Sequence, residues 1–333
     1  ITIVSLGNWN WEEKKSKQMP LLSSMECDYP LIDSNFRGFC ASHAIYSVED
    51  FLLHDLYVLV ISTEQHHNSE RLKEGITQVL TIINGQHQPW VNGQELLDYA
   101  LQNKSSLPTG CRRIDVFLHG GLKKGHLTEL VGPSSSGKTQ ICLRAASSVA
   151  KSWGKIIFLD SGNSFSSKRV AQFVTQTSDP SAYEVDRALQ QVMNNIVCLS
   201  VFDIFTLFEV LHQLKNNLIS QVDQHISMII IDSISSLITP ILGGGGAQGH
   251  ALMVSVGVLL KRLAHEHDIC ILVTNHMVAG EKGTSKPALG ESWRGIPHVR
   301  LLLSRDHIRN MSSMSVLRHP HMATGDRVEF EVL

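Results

Sequence analysis

The run Gly132-Pro-Ser-Ser-Ser-Gly137-Lys138-Thr139 constrains this chain more than any other feature. It satisfies G-x-x-x-x-G-K-[ST] at every fixed position. The apolar stretch from Leu127 to Val131 precedes it, and Ile141, Cys142 and Ala145 follow at helical spacing. A strand, a glycine-gated loop and a helix are predicted in that order. Backbone N–H groups from Ser134 to Thr139 then form a concave nest, and the helix starting near Lys138 points its positive end at the same place. Such a cradle holds a polyphosphate. Lys138 is expected to reach the β- and γ-oxygens, and the Thr139 hydroxyl to coordinate Mg²⁺. The predicted binding set is Gly132, Pro133, Ser134, Ser135, Ser136, Gly137, Lys138 and Thr139.

A metal held there needs an acidic partner at the end of a neighbouring strand. Met228-Ile-Ile-Ile-Asp232 supplies one in Asp232. The metal ligands expected are Thr139 and Asp232. A guanine reader of the form N-K-x-D is not offered by Thr274-Asn275-His276-Met277. ATP is therefore the expected nucleotide.

The same alternation continues along the chain. Strands are predicted at His126–Val131, Lys155–Asp160, Ile196–Val201, Met228–Asp232, Ile269–Thr274 and Val299–Ser304. Helices are predicted at Lys138–Lys151, Lys168–Gln176, Glu184–Met193, Ile204–Leu218 and His250–His265. Apolar strands separated by long helices imply an α/β fold, with a mostly parallel sheet covered on both faces. Two further strands, Ser313–Arg318 and Val328–Leu333, are expected to close it as antiparallel partners. The first third reads as helical. Ser47-Val-Glu-Asp50 forms a capping box before Phe51-Leu52-Leu53 and Leu56-Tyr57, and a second helix from Ser69 stops at Asn84-Gly85. The expected organisation is a small helical domain over 1–85, a linker over 86–108 with a short helix at Glu95–Leu101, and the α/β core over 109–333.

The net charge of -2 excludes a protein that holds DNA by blanket phosphate attraction, so any contact must be local. Six cysteines stand far apart without a C-x-x-C pair, which argues for buried reduced thiols. His265-Glu266-His267 and His319-Pro320-His321 diverge and lack a third ligand, so no metal is expected there. Trp9, Trp11, Glu12 and Glu13 interrupt any leader-like stretch, and the apolar run Phe51–Ser62 carries His54 and Asp55 and is too short to cross a bilayer. No membrane is expected as a partner. The chain opens at Ile1 rather than Met, as a fragment or an incomplete gene product would.

Thr109-Gly110 with Ile114-Asp115, Gly120-Gly121-Leu122, Gly137-Lys138-Thr139-Gln140 and Thr274-Asn275 together resemble the RecA-like recombinases of eukaryotes. Leu159-Asp160-Ser-Gly-Asn-Ser-Phe165, Asp232-Ser-Ile-Ser-Ser-Leu-Ile-Thr-Pro-Ile-Leu-Gly243 and Leu263-Ala-His-Glu-His267 are most similar to the D-type paralogues, which serve in the mediator complex for homologous recombination. The resemblance implies a RecA-type P-loop ATPase core behind a small helical domain. It further implies DNA repair in the nucleus within a complex of recombinase paralogues. Lys14-Lys15-Ser-Lys17 is too thin to be an import signal, so nuclear placement follows from resemblance alone.

The chain departs from that pattern in three places. Recombinases carry a glutamate at the end of the second core strand to activate water, and here that position holds Gly162. Slow hydrolysis is predicted, with Asp160 as a poorly placed substitute. Where strand-exchange enzymes carry a γ-phosphate-sensing glutamine this chain has His276. The catalytic set is thus Lys138, Asp160 and His276. The docking element Phe-x-x-Ala is not matched by Trp90-Val91-Asn92-Gly93-Gln94. Two segments stand where the family puts its DNA-facing loops, 243–249 and 278–286, the second with Lys282 and Lys286. Neither offers an aromatic platform, so weak single-stranded DNA binding is expected. Two functions compete: a slow DNA-dependent ATPase in recombinational repair, and a non-hydrolysing subunit that uses ATP to stabilise protein–protein interfaces. A hexameric helicase-like motor should retain the glutamate.

Overall fold

The computed structural model describes Leu22 and residues 29–86, 92–102, 106–176, 182–219, 226–243, 247–280, 285–306 and 308–331. The chain divides into two compact units, Ile1–Gln102 and Asn103–Leu333.

The first unit contains helices α1 (Ser34–Ser42), α2 (Val48–Leu53), α3 (Leu56–Thr63), α4 (Ser69–Gln86) and α5 (Gly93–Gln102). The capping box forms as its sequence predicts. Ser47 Oγ accepts the Asp50 N–H at 3.2 Å, and Asp50 Oδ2 accepts the Ser47 N–H at 2.8 Å. The apolar run behind it does not continue as one helix, because Asp55 starts α3 by accepting the Tyr57 N–H. Helix α4 passes through Asn84-Gly85 to Gln86 rather than stopping there. Phe36, Phe39, Phe51, Ile76 and Val79 make the core of this unit. Gly75 lets α4 approach α1: a Cβ there would meet the Phe36 ring at 2.5 Å. Trp90 and Val91 of the docking-element region, the basic run at 14–17 and Lys282 lie outside the described residues.

The second unit is built on strands β3 (Leu127–Gly132), β4 (Lys155–Asp160), β5 (Ile196–Ser200), β6 (Ile226–Asp232), β7 (Cys270–Ala279) and β9 (Val299–Asp306), with β10 (Met311–Arg318) and β11 (Arg327–Phe330) at one edge. The sheet order is β11-β10-β9-β3-β7-β6-β4-β5. From β9 to β5 every pairing is parallel, and β10 and β11 join antiparallel, as the sequence predicts.

The unbroken apolar runs follow from burial on both faces, since alternate side chains point to opposite sides. Ile156, Phe158, Met228, Ile230 and Leu272 pack with Ile141, Val149 and Phe173 of helices α7 (Lys138–Ser152) and α8 (Ser167–Gln176). Ile157, Leu159, Ile229, Ile231 and Val273 pack instead with helices α10 (Ile204–Ile219), α11 (Ile234–Leu242) and α12 (Ala247–His267). Each such side chain stabilises the fold by about 1.5–3 kcal/mol when fully buried.

Helix α9 (Ala182–Asn195) packs on α7 and α8, and the short α6 (Arg112–Phe117) lies against β11. A two-stranded hairpin, β1 (Ser106–Leu107) with β2 (Leu122–Lys123), encloses α6. Gly121 adopts φ 108°, and a Cβ there would strike the Leu107 carbonyl at 2.2 Å. Thr109 donates to Asp115 Oδ1 through both its N–H (2.7 Å) and its hydroxyl (2.6 Å).

Helix α11 is missed by the sequence pattern, which Pro240 and the glycines after it obscure. Ser233 caps it by accepting the Ser236 N–H. Cys198 is exposed on the outermost strand β5, against the expectation of a buried thiol; Cys40, Cys111, Cys142 and Cys270 are buried.

Candidate nucleotide site

Strand β3 is buried along its whole length and delivers the glycine loop at its carboxyl end. Chain order reverses across β3: β4 lies on one side beyond β7 and β6, and β9 lies on the other. A crevice at such a switch point is where open α/β sheets bind ligands. Ser135 (φ 61°) and Gly137 (φ 97°) take the left-handed conformations that turn the main chain around the loop. Gly132 is required by space, because a Cβ would meet Ser136 Oγ at 2.5 Å and the Leu303 carbonyl at 2.7 Å.

Lys138 is almost fully buried at the start of α7 and donates to the carbonyls of Gly132 (2.8 Å) and Pro133 (2.9 Å). Burial lowers its pKa, against the pull of the nearby Asp232. The Ser136 hydroxyl is buried and lacks a hydrogen-bond partner. An ammonium resting on neutral carbonyls and an unsatisfied hydroxyl in one concave loop are what a phosphate group would satisfy. The residues present therefore fit a nucleotide triphosphate.

Asp232, at the end of β6, accepts the Thr139 hydroxyl on Oδ2 at 2.6 Å. The Ser164 hydroxyl reaches the same oxygen at 3.2 Å, and the Thr274 hydroxyl donates to Oδ1. The Thr139 and Thr274 hydroxyls thus orient one carboxylate, the single Ser164 hydroxyl proton is shared between Asp232 and Asp160, and Thr139 with Asp232 are brought together as the metal-holding pair requires.

Asp160 sits at the end of β4 beside Asp232 in register. Its Oδ1 accepts the N–H of Gly162 (3.1 Å) and of Ser164 (3.1 Å) and the Ser164 hydroxyl, and its Oδ2 accepts the Phe165 N–H at 2.9 Å. Burial alone would raise its pKa, but the N–H donors of Phe165, Ser164 and Gly162 hold it low. Asp160 is a stable carboxylate that anchors the turn after β4. Gly162 is exposed, its φ is not positive, and a Cβ added there meets nothing within 4 Å. No steric reason excludes a side chain at that position.

His276 pairs with Gly132 in the β3–β7 register, so it stands next to the loop. Its backbone N–H donates to Ser235 Oγ at 3.0 Å, and the residue is exposed. Partial desolvation and the Lys138 charge lower its pKa. The imidazole is therefore neutral at physiological pH and offers one donor and one acceptor.

Beyond His276, β7 continues to Ala279 and pairs antiparallel with β8 (Ser285–Pro287), so segment 278–286 springs from a β-hairpin beside the loop. Segment 243–249 is partly helical: Gly243 follows α11, 244–246 lie outside the described residues, and α12 begins at Ala247. Gly249 serves packing there, since a Cβ would strike the Ile241 carbonyl at 2.2 Å.

Sequence reasoning missed Ser164, the Thr274 hydroxyl and a pair near the loop, Arg169 Nε donating to Gln140 Oε1 at 2.7 Å. It also missed Glu129, wholly buried in β3. Glu129 holds Arg300 in an ion pair and accepts from Asn275 Nδ2 (2.7 Å) and Trp293 Nε1 (2.8 Å). A glutamate inside an apolar strand was the only signal available for it.

The sheet order, the loop at the switch point and the paired strand-end aspartate define a RecA-like P-loop core. The chain belongs to the Rad51 family, whose model matches residues 102–304. It is 33% identical over 243 residues to the DNA repair protein RAD51 homolog 4 of Bos taurus, a match covering 70% of this chain and 73% of that protein. The RAD51 homolog 4 of Mus musculus is 34% identical over 221 residues, covering 64% and 65%. The DNA repair and recombination protein RadB of Halobacterium salinarum is 25% identical over 241 residues, covering 69% and 94%.

Proposed function

We propose that this chain is an ATP-binding recombinase paralogue of the D type. It acts in the nucleus in DNA repair by homologous recombination, within a hetero-oligomer of recombinase paralogues. The observation that carries this reading is an assembled nucleotide grip, Lys138 with Thr139 and Asp232, joined to a glycine where water activation belongs. The relatives named RAD51 homolog 4 support the D-type assignment.

The loop amides and Lys138 would hold the phosphates, and Lys138 would exchange its two carbonyl partners for phosphate oxygens. Mg²⁺, held by Thr139 and Asp232, would neutralise charge on the β- and γ-phosphates. The Thr274 hydroxyl would hold the Asp232 carboxylate in place beside Thr139. His276 would hydrogen-bond the terminal phosphate and pass its state to the hairpin that begins one residue later. Single-stranded DNA would bind weakly along 243–249 and 278–286.

General-base assistance is worth about 10²- to 10⁴-fold. Asp160 is engaged by three N–H donors and is a poor base, so turnover would be slow. That same observation favours a second reading, in which ATP is a structural ligand at interfaces between subunits. Phosphate release measured with and without single-stranded DNA separates the two. A slow, DNA-stimulated rate supports the enzyme reading. Tight nucleotide binding without DNA-stimulated release supports the structural one, provided Lys138→Ala also weakens co-purification with paralogue partners.

A further inference from the structure

The amino ends of the central strands carry a concentration of cations and imidazoles that the nucleotide site does not use. Three elements meet there: the start of β3, the start of β9, and the end of β10, which runs antiparallel to β9. His126 precedes β3 and lies edge-on to His298, which precedes β9, with ring centres 4.9 Å apart. His319 and His321 follow β10, with ring centres 6.0 Å apart. Lys123 closes β2, and Lys261, His265 and His267 belong to the last turns of α12.

The fixed charges do not cancel. Lys124 pairs with Asp268 at 3.9 Å, Arg262 with Glu266 at 3.3 Å and Arg327 with Glu329 at 3.4 Å. Arg318 donates to the carbonyls of Gly295 (2.8 Å) and Arg294 (3.4 Å), which leave its charge uncompensated. Neither Lys123 nor Lys261 has a carboxylate within ion-pair distance among the described residues. Against Lys123, Lys261 and Arg318 stands Asp326, which caps the Ala323 N–H. In a chain of net charge -2 this is a segregated surplus.

We propose that this rim is a second docking surface for nucleic acid, one that grips a phosphate backbone through Lys123, Lys261 and Arg318. Its extent favours a continuous polyanion, because the cations are spread over β2, α12 and β10 rather than gathered in one pocket. Among the described residues no group of three or more His, Cys, Asp or Glu is placed to hold a metal ion, so the imidazoles are not a metal centre. The rim also stands apart from the nucleotide: six residues of β3 at about 3.3 Å each place it roughly 20 Å from the loop.

Burial, helped by Lys261, His126, Arg318 and His265, lowers the pKa of His298 to about 4, and burial, helped by Lys123, His321, His119 and His126, lowers that of His319. Both rings are therefore neutral near pH 7, and Lys123, Lys261 and Arg318 carry the charge of the rim.

The test is fluorescence anisotropy of the full chain with labelled single-stranded and duplex oligonucleotides over a salt series. Lys123→Glu with Lys261→Glu should weaken binding about tenfold and reduce the salt slope by about two. Unchanged nucleotide binding would show that these variants are folded; if the charge reversals fail to fold, Lys123→Gln with Lys261→Gln replaces them with a smaller expected loss. Affinity and salt slope equal to wild type in the lysine variants would overturn the proposal. Competition by polyglutamate as effective as by oligonucleotide would overturn it too, in favour of an acidic peptide.

Discussion

At the scale of single residues, the site is defined by what surrounds Gly162 as much as by Lys138. The neighbouring Asp160 accepts three N–H groups and shares the Ser164 hydroxyl with Asp232, so its low pKa reflects a structural duty. The space at Gly162 is open. Gly162→Glu is therefore expected to fold normally and to raise the turnover of ATP by about tenfold or more, within the range general-base assistance provides. Steady-state phosphate release checks it, and adding Lys138→Ala should cancel the gain. An unchanged rate in a folded Gly162→Glu protein would mean that the missing base is not what limits hydrolysis. The phosphate loop and Asp232 are legible in sequence because main-chain geometry fixes the spacing of the first and a buried apolar strand exposes the second. Ser164 and Thr274 are not legible, because their hydroxyls reach Asp232 only after two separate strand ends have been brought side by side.

Between elements, Glu129 ties β3 to β7, to β9 and, through Trp293, to helix α13 (Gly290–Arg294). Breaking a buried pair strands the surviving charge, and Glu129→Gln should cost about 3–5 kcal/mol of stability. Chemical denaturation measures this, and Glu129→Gln with Arg300→Met should recover most of the loss. Should the single and double variants be equally unstable, the ion pair is not the origin of the cost.

At the other end of β3, His298 Nδ1 accepts the Leu127 N–H at 2.9 Å, which requires a neutral ring. Its folded pKa lies near 4, below the ordinary 6.5, so the unfolded chain binds the extra proton between those values. The stabilisation is fully present above about pH 6.5 and is lost as pH falls through about 4. His298→Asn keeps an acceptor without the titration, and its melting temperature should depend less steeply on pH in that window. Equal slopes for variant and wild type would remove His298 from the account.

The alternation of strands and helices was legible because burial on two faces forces continuous apolar runs. Helix ends were less so: α4 runs through Asn84-Gly85 and α12 starts at Ala247, inside a stretch that glycine content alone marks as loop.

Over the whole molecule, the two units carry separate apolar cores, and the nucleotide grip lies entirely in the second. A fragment of residues 103–333 should therefore fold and keep nucleotide affinity within about threefold of the full chain, since no residue of the grip is removed. Circular dichroism with a nucleotide titration checks this; an unfolded fragment would show that the core depends on the first unit. The division between units falls inside the stretch 86–108 expected to link the domains, which glycine and proline content marks but whose helix α5 the structure assigns to the first unit.

The account rests on MgATP being gripped by the loop amides, Lys138, Thr139 and Asp232. Calorimetric titration of the folded chain with ATP, in the presence and absence of Mg²⁺, tests it most directly. One binding event per chain is predicted, weakened by about tenfold or more in Thr139→Ala and in Asp232→Ala when Mg²⁺ is present, because each removes one holder of the metal. Heats indistinguishable from dilution in a folded wild-type sample would contradict it.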